Sequence, residues 1–279
     1  MAVIIGNNIP LHKLAVYIDV NNPRCLPNPD SAVSSSTKLF NLAGGLNNGH
    51  TAKISHFYPS GNATGHAQMS FPTFNGRRVA FQSAYVAGAG NDPGWYGSMT
   101  SSNRVANYTF SSWFRYKRGS SEQIAENIYG GGFTSATSFY MCWGGTGDAA
   151  GVLHYSPGGV QNFSHGYSNT SLVDGSTAPG TDGPGGSSYN WHHHLYTTRY
   201  GGSAGTWESW FYVDGQLIHY IDNQNTYVPW TSGTMSWGSW SGGYGNYTGF
   251  MNHCMYYERH LSAVEINQLY QAQRGFYNV

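Results

Sequence analysis

Charged side chains are scarce in this chain: 13 Lys and Arg stand against 13 Asp and Glu, 9% of 279 residues, with a formal net charge of zero. A soluble domain of this length ordinarily carries about a quarter of its residues charged. With no cationic surplus there is no electrostatic footprint for a phosphate backbone, and no nucleic-acid partner is expected. Long apolar runs are missing too; none approaches the ~18 residues of a membrane-crossing helix, which argues against membrane insertion. Residues 1–13 have neither a basic start, nor an apolar run of signal-peptide length, nor a small-residue cleavage site, so synthesis in a cytoplasm without a signal peptide is expected. Cysteine is rare as well. Cys25, Cys142 and Cys254 cannot all pair, and they read as buried free thiols of a reducing compartment.

What the chain has instead is aromatic surface and glycine: 22 Tyr, 13 Phe, 9 Trp and 38 Gly. Hydrophobic residues at 39% suffice to bury a core and offset chain entropy. Strand-like runs recur at residues 14–19, 68–74, 78–84, 106–116, 138–143, 152–155 and 192–200, each bounded by Gly, Asn, Pro or Ser. The clearest hairpin spans residues 206–221 around Asp214 and Gly215, a pair that tolerates the positive φ angles of a two-residue turn. Both faces of its first strand carry large apolar groups, Trp207, Phe211 and Val213 on one and Trp210 and Tyr212 on the other. Such a strand is either covered on both sides or has one aromatic face as a binding surface. One helix is expected near the end. Ser262 and Glu265 form a capping box, Ile266, Leu269, Tyr270 and Gln273 share a face, and Arg274 and Gly275 close it.

Three of these segments, in order, resemble the laminin-G-like, or concanavalin-A-like lectin/glucanase, jelly roll. They are the strand opened by Trp191, His192 and His193, the hairpin with Val213, Asp214 and Gly215, and the closing stretch with Tyr257, Arg259, Leu261, Ser262, Glu265, Ile266, Leu269 and Tyr270. The opening adds a likeness to tailed-phage virion proteins with this fold. It comprises Leu14, Val16, Ile18, Asp19, Asn22 and Pro23, followed by Leu39, Asn41, Leu42, Gly44, Asn48 and Gly49. Val20 and Asn21 depart from the small Ala-Gly pair common there, and residues 24–38 form a long insertion. The resemblance implies an all-β antiparallel sandwich with one short C-terminal helix. It would comprise a single domain over residues 14–279 preceded by an arm, residues 1–13, that docks on a neighbouring subunit.

Glucanases of this fold resemble one another in a Glu-x-Asp-x-Glu strand that places acids alternately on the cleft face. Here the Glu residues are Glu122, Glu126, Glu208, Glu258 and Glu265, and no two have that spacing. Glu122 and Glu126 read as a solvated turn or short helix, so no enzyme is expected. In a strand His192 and His194 point one way and His193 the other, so zinc is disfavoured. Relatives of this fold use calcium at one rim, and Asp92, Asp148, Asp174 and Asp182 are the loop aspartates that could serve. Lone loop aspartates more often bond their own backbone, so no cofactor is expected and no metal ligands are assigned.

The remaining candidates are aromatics in Gly- and Ser-rich context, read as loop-borne: Trp95, Tyr96, Trp230, Trp237, Trp240 and Tyr244. Flat rings there would stack on sugar faces or anchor a protein partner. With the resemblance to phage virion proteins, they imply a noncatalytic, oligomeric virion component, on capsid or tail, that contacts other virion proteins and adheres to host polysaccharide. A stand-alone lectin module is the alternative.

Overall fold

Every residue of Leu14–Ile18 is buried, as expected of a strand covered on both faces. It forms β1 of the computed structural model, which describes residues 9–51, 53–59, 63–67, 69–82, 94–105, 107–116, 126–131, 139–143, 152–157, 163–166, 191–200, 207–224, 230–238 and 249–278. Two eight-stranded antiparallel sheets result. The first contains β1, β4 (Met69–Ser70), β7 (Ala80–Gln82), β9 (Tyr108–Tyr116), β14 (His192–Tyr200), β15 (Trp207–Val213), β16 (Gln216–Gln224) and β18 (Gly249–Tyr257). Its order is β16-β15-β14-β9-β18-β7-β4, with β1 lying beside the other half of β18.

The second sheet holds β2 (Leu39–Phe40), β3 (His56–Pro59), β8 (Trp95–Val105), β10 (Glu126–Gly131), β11 (Phe139–Trp143), β12 (Val152–Pro157), β13 (Phe163–Gly166) and β17 (Trp230–Trp237). Its order is β13-β12-β11-β10-β17-β8-β3-β2. A small ribbon of β5 (Thr73–Phe74) and β6 (Arg77–Arg78) lies apart. The sheets stack over one core that draws Phe110, Phe114, Tyr196 and Tyr256 from the first and Phe57, Trp95, Met235 and Trp237 from the second. Trp237 crosses the gap and donates its indole N–H to Ser112 Oγ at 3.1 Å. The all-β sandwich is therefore the observed architecture.

The expected helix forms as α2 (Ala263–Arg274), with both halves of the Ser262–Glu265 capping box made. It ends at Arg274, and Gly275 is right-handed at φ −62°, so the stop owes nothing to a left-handed glycine. A one-turn helix α1 (Ala63–His66) was not foreseen. The hairpin turn is as expected, with Asp214 at φ 51° and Gly215 at φ 76°.

Two assignments are corrected. Glu126 opens strand β10, not a turn or helix, while Glu122 lies outside the described residues. Residues 95–105 and 230–237 are paired strands, not loops. At Gly97 the small residue serves packing: a Cβ there would lie 2.9 Å from Ile54 Cγ2 and 3.2 Å from Phe57.

Asparagine side chains fix the opening segment to the rest of the fold. Asn41 Oδ1 accepts from Tyr17 N and Ala43 N, both at 2.9 Å, and its Nδ2 donates to Ala15 O and Ile54 O, both at 2.8 Å. One carboxamide thus satisfies all its bonds while fixing β1 to the following loop. Asn48 Nδ2 similarly donates to Leu11 O and Leu14 O at 2.6 and 2.9 Å. At the end of the expected arm, Lys13 N donates to Asn48 O and His12 O accepts from Arg259 Nε, both at 2.9 Å. Residues 1–8 lie outside the described residues.

Candidate functional site

The outer face of the first sheet is divided in two by α2. Trp113 on β9 and His193 on β14 are cross-strand partners on that face, and α2 covers them. Trp113 donates its indole N–H to Gln273 Oε1 at 2.7 Å and stacks on Tyr277 and Tyr270, with centroids 4.1 and 5.7 Å away. His193 Nε2 pairs with Ser111 Oγ at 2.6 Å, and complete burial pushes its pKa down to about 3. Beneath lies a closed polar chain. Tyr277 Oη pairs with His253 Nδ1 at 2.8 Å, and His253 Nε2 lies 3.7 Å from Asp19 Oδ1. His253 reaches inward because β18 carries a bulge there, with His253 at φ 52°.

Farther along β14, alternation carries the same face through Thr197 to Arg199, opposite Trp210 and Glu208 of β15. Here α2 no longer covers the sheet. Half-buried Trp210 lies between exposed Tyr220, its cross-strand partner on β16, at 5.3 Å, and His260 at 4.7 Å. The Arg199 guanidinium sits 5.2 Å over the Trp210 ring and gives Nε and Nη2 to Glu208 Oε2 at 2.9 and 2.5 Å. Tyr220 donates its hydroxyl to the other oxygen, Oε1, at 2.9 Å. The Arg199 bond, joined by that of Tyr220, holds the Glu208 carboxyl below its ordinary pKa. Burial, with Arg199 nearby, pushes His260 down to about 4, so its ring is neutral at pH 7. The result is a ring platform rimmed by one acceptor carboxylate and one donor guanidinium.

The residues chosen from sequence fall elsewhere. Trp95 and Trp237 are direct cross-strand partners in the core, 1% and 0% exposed, and Tyr96 is buried at 9%. As an exposed binding set these three are corrected: Trp95 opens β8 and Trp237 closes β17 within the core, and Tyr96, the next residue of β8, is buried as well. Trp230 opens β17 opposite Val105, and Trp240 and Tyr244 lie outside the described residues. The platform was missed as a site, although the alternation that put Trp210 with Tyr212 on one face of the hairpin was its signal.

Asp214 ties the His192–His194 run to the hairpin turn. Asp214 Oδ2 pairs with His192 Nδ1 at 2.7 Å, and Oδ1 accepts from His193 N at 2.8 Å, so the turn residue also fixes the register of β14. Three His, Cys, Asp or Glu side chains do not converge as a metal set among the described residues, and Asp92, Asp148, Asp174 and Asp182 lie outside them. Cys25 and Cys254 are buried free thiols, their pKa values raised by burial, and Cys142 sits in β11. No helix among the described residues is long and apolar enough to cross a membrane.

No protein-family model and no curated protein matches the sequence. Solved structures do match in fold. The binding domain of botulinum neurotoxin serotype D/C VPI 5993 superposes with TM-score 0.58 at 12% identity, covering 93% of this chain and 52% of that one. A botulinum neurotoxin DC binding domain in complex with SialylT gives 0.57 at 11% identity, covering 93% and 51%. Domain 4 of AbnA, a GH43 extracellular arabinanase from Geobacillus stearothermophilus, in complex with arabinotriose, gives 0.51 at 12% identity, covering 93% and 98%. The chain thus spans about half the length of the neurotoxin binding domains. The likeness is one of fold alone, a β-sandwich.

Proposed function

We propose that the protein is a noncatalytic glycan-adhering module, carried as a structural component of a tailed-phage particle on its capsid or tail. The observation that carries the glycan reading is the open platform of Trp210 and Tyr220 with Arg199 and Glu208 at its rim. Rings stack on sugar C–H faces, while a carboxylate and a guanidinium exchange hydrogen bonds with hydroxyls. The AbnA domain in complex with arabinotriose supports the same reading, since a domain of this fold holds an oligosaccharide.

Carboxyl chemistry supports a noncatalytic role. A general acid for glycoside cleavage needs a raised pKa. Glu208 is held low by Arg199, and Glu265 is pushed down to about 2 by its bonds from Arg259. Glu258 accepts from Thr51 N and Thr51 Oγ1. The virion setting rests on the opening motif, whose Asn41 clamp gives that resemblance a structural role. In that setting copies of the chain assemble with one another and with other virion proteins.

The test is a glycan array probed with the purified full chain and with Trp210→Ala, alongside polysaccharide hydrolysis assays and immunogold imaging of intact particles. Retention lost in the variant, no cleavage and labelled virions are expected. Hydrolysis of any saccharide polymer overturns the noncatalytic reading, and unlabelled particles overturn the virion setting. A stand-alone lectin module is the second reading, prompted by the AbnA domain in complex with arabinotriose, 98% of which this chain covers.

A further inference from the structure

We infer that the Trp210 platform selects uncharged sugar residues and discriminates against those bearing a carboxylate. This rests on the glycan reading above and adds the chemical class of ligand. The charges around His260 are Arg199, Glu208, Arg259 and Glu265, and each is already paired: Arg199 with Glu208, and Arg259 with Glu265 at 2.6 and 3.0 Å. His260 adds no charge at neutral pH, and its Nδ1 lies 3.1 Å from Thr197 Oγ1.

The Arg199 side chain is 50% exposed, yet it does not present a bare cation, because Glu208 occupies the edge formed by its Nε and Nη2. A uronic or sialic carboxylate approaching that guanidinium meets Glu208 at close range, and like charges there are unfavourable. At the Nε and Nη2 edge it could bind only by displacing Glu208 and breaking the pair, and at the remaining N–H groups of Arg199 it would still lie beside the Glu208 charge. A neutral hydroxyl has no such conflict. It can donate to a free lone pair of Glu208 and accept from an unused N–H of Arg199 without breaking the pair. The rings add stacking that depends on C–H faces and not on charge.

The experiment uses matched oligosaccharides differing only at C6: galactose against galacturonic acid, and glucose against glucuronic acid. Binding to the full chain is measured by calorimetry at low and high salt. The neutral member of a pair is expected to bind roughly tenfold or more tightly, with little salt dependence, because no ion pair forms with it. Glu208→Gln keeps the side-chain shape and frees Arg199, so it should narrow the gap and make binding of the acid salt-sensitive. Tyr220→Ala, at an exposed position, and Trp210→Ala should weaken both members. Preference for the acid, lost in those two variants, overturns the selectivity and leaves glycan binding standing. Binding of neither member of any pair, with the fold intact by circular dichroism, overturns the glycan reading itself.

Discussion

Trp113 and Trp210 stand on neighbouring parts of one sheet face, yet one is fully enclosed and the other half open. Around Trp113, α2 supplies Gln273 for the indole N–H and Tyr270 and Tyr277 for the ring. Around Trp210, the neighbours are charged or exposed: Arg199, Glu208 and Tyr220. The same residue type on the same surface is a core anchor where a helix lies over it and a platform where the helix stops. Cover, set by where Ser262 caps α2, decides the role.

That contrast can be broken experimentally. Trp113→Ala removes a fully buried ring and should cost about 3–5 kcal/mol in denaturant unfolding. A loss near zero would mean that α2 does not hold the sheet. Acid should act through the buried histidines, His193 under α2 and His194 in the core beside Phe114 and Phe211. His193 and His194 are neutral in the fold, each with a pKa of about 3 against 6.5 unperturbed, so the unfolded chain binds more protons between those values. Their stabilisation is complete above about pH 6.5 and is lost as pH falls toward about 3, at up to about 1.4 kcal/mol per pH unit for each histidine. His193→Gln, which can keep a bond to Ser111, should flatten that slope; an unchanged slope would point to other groups.

Gln273→Leu leaves the Trp113 indole N–H buried without its acceptor and should cost about 1–3 kcal/mol. On the open half, Arg199→Ala should change stability by under about 1 kcal/mol, as exposed ion pairs generally do, while weakening glycan retention. A large stability loss there, or none in retention, would erase the distinction between the halves.

The elements legible in the sequence are those specified by local chemistry. The Asp214–Gly215 turn, the Ser262–Glu265 capping box and the apolar face of α2 each require only neighbours in sequence, and each is found. Strands β8 and β17 were not legible. Their Gly and Ser residues mimic turn composition, and the reason for Gly97 is the approach of Ile54 and Phe57 from another strand. The platform was half legible. Alternation put Trp210 on one face of the hairpin, but only the third dimension shows that α2 stops short of it and that Arg199 pairs with Glu208.

The pairing of β1 with β18 bears on the order of events during biosynthesis. Leu14 lies opposite Tyr257 and Ile18 opposite Cys254, and β9 also leans on β18. A growing polypeptide therefore holds β1 without its strand partner until β18 has been made. Closure of the first sheet is a late, long-range event, of the sort that makes maturation slow and rewards protection of the nascent product.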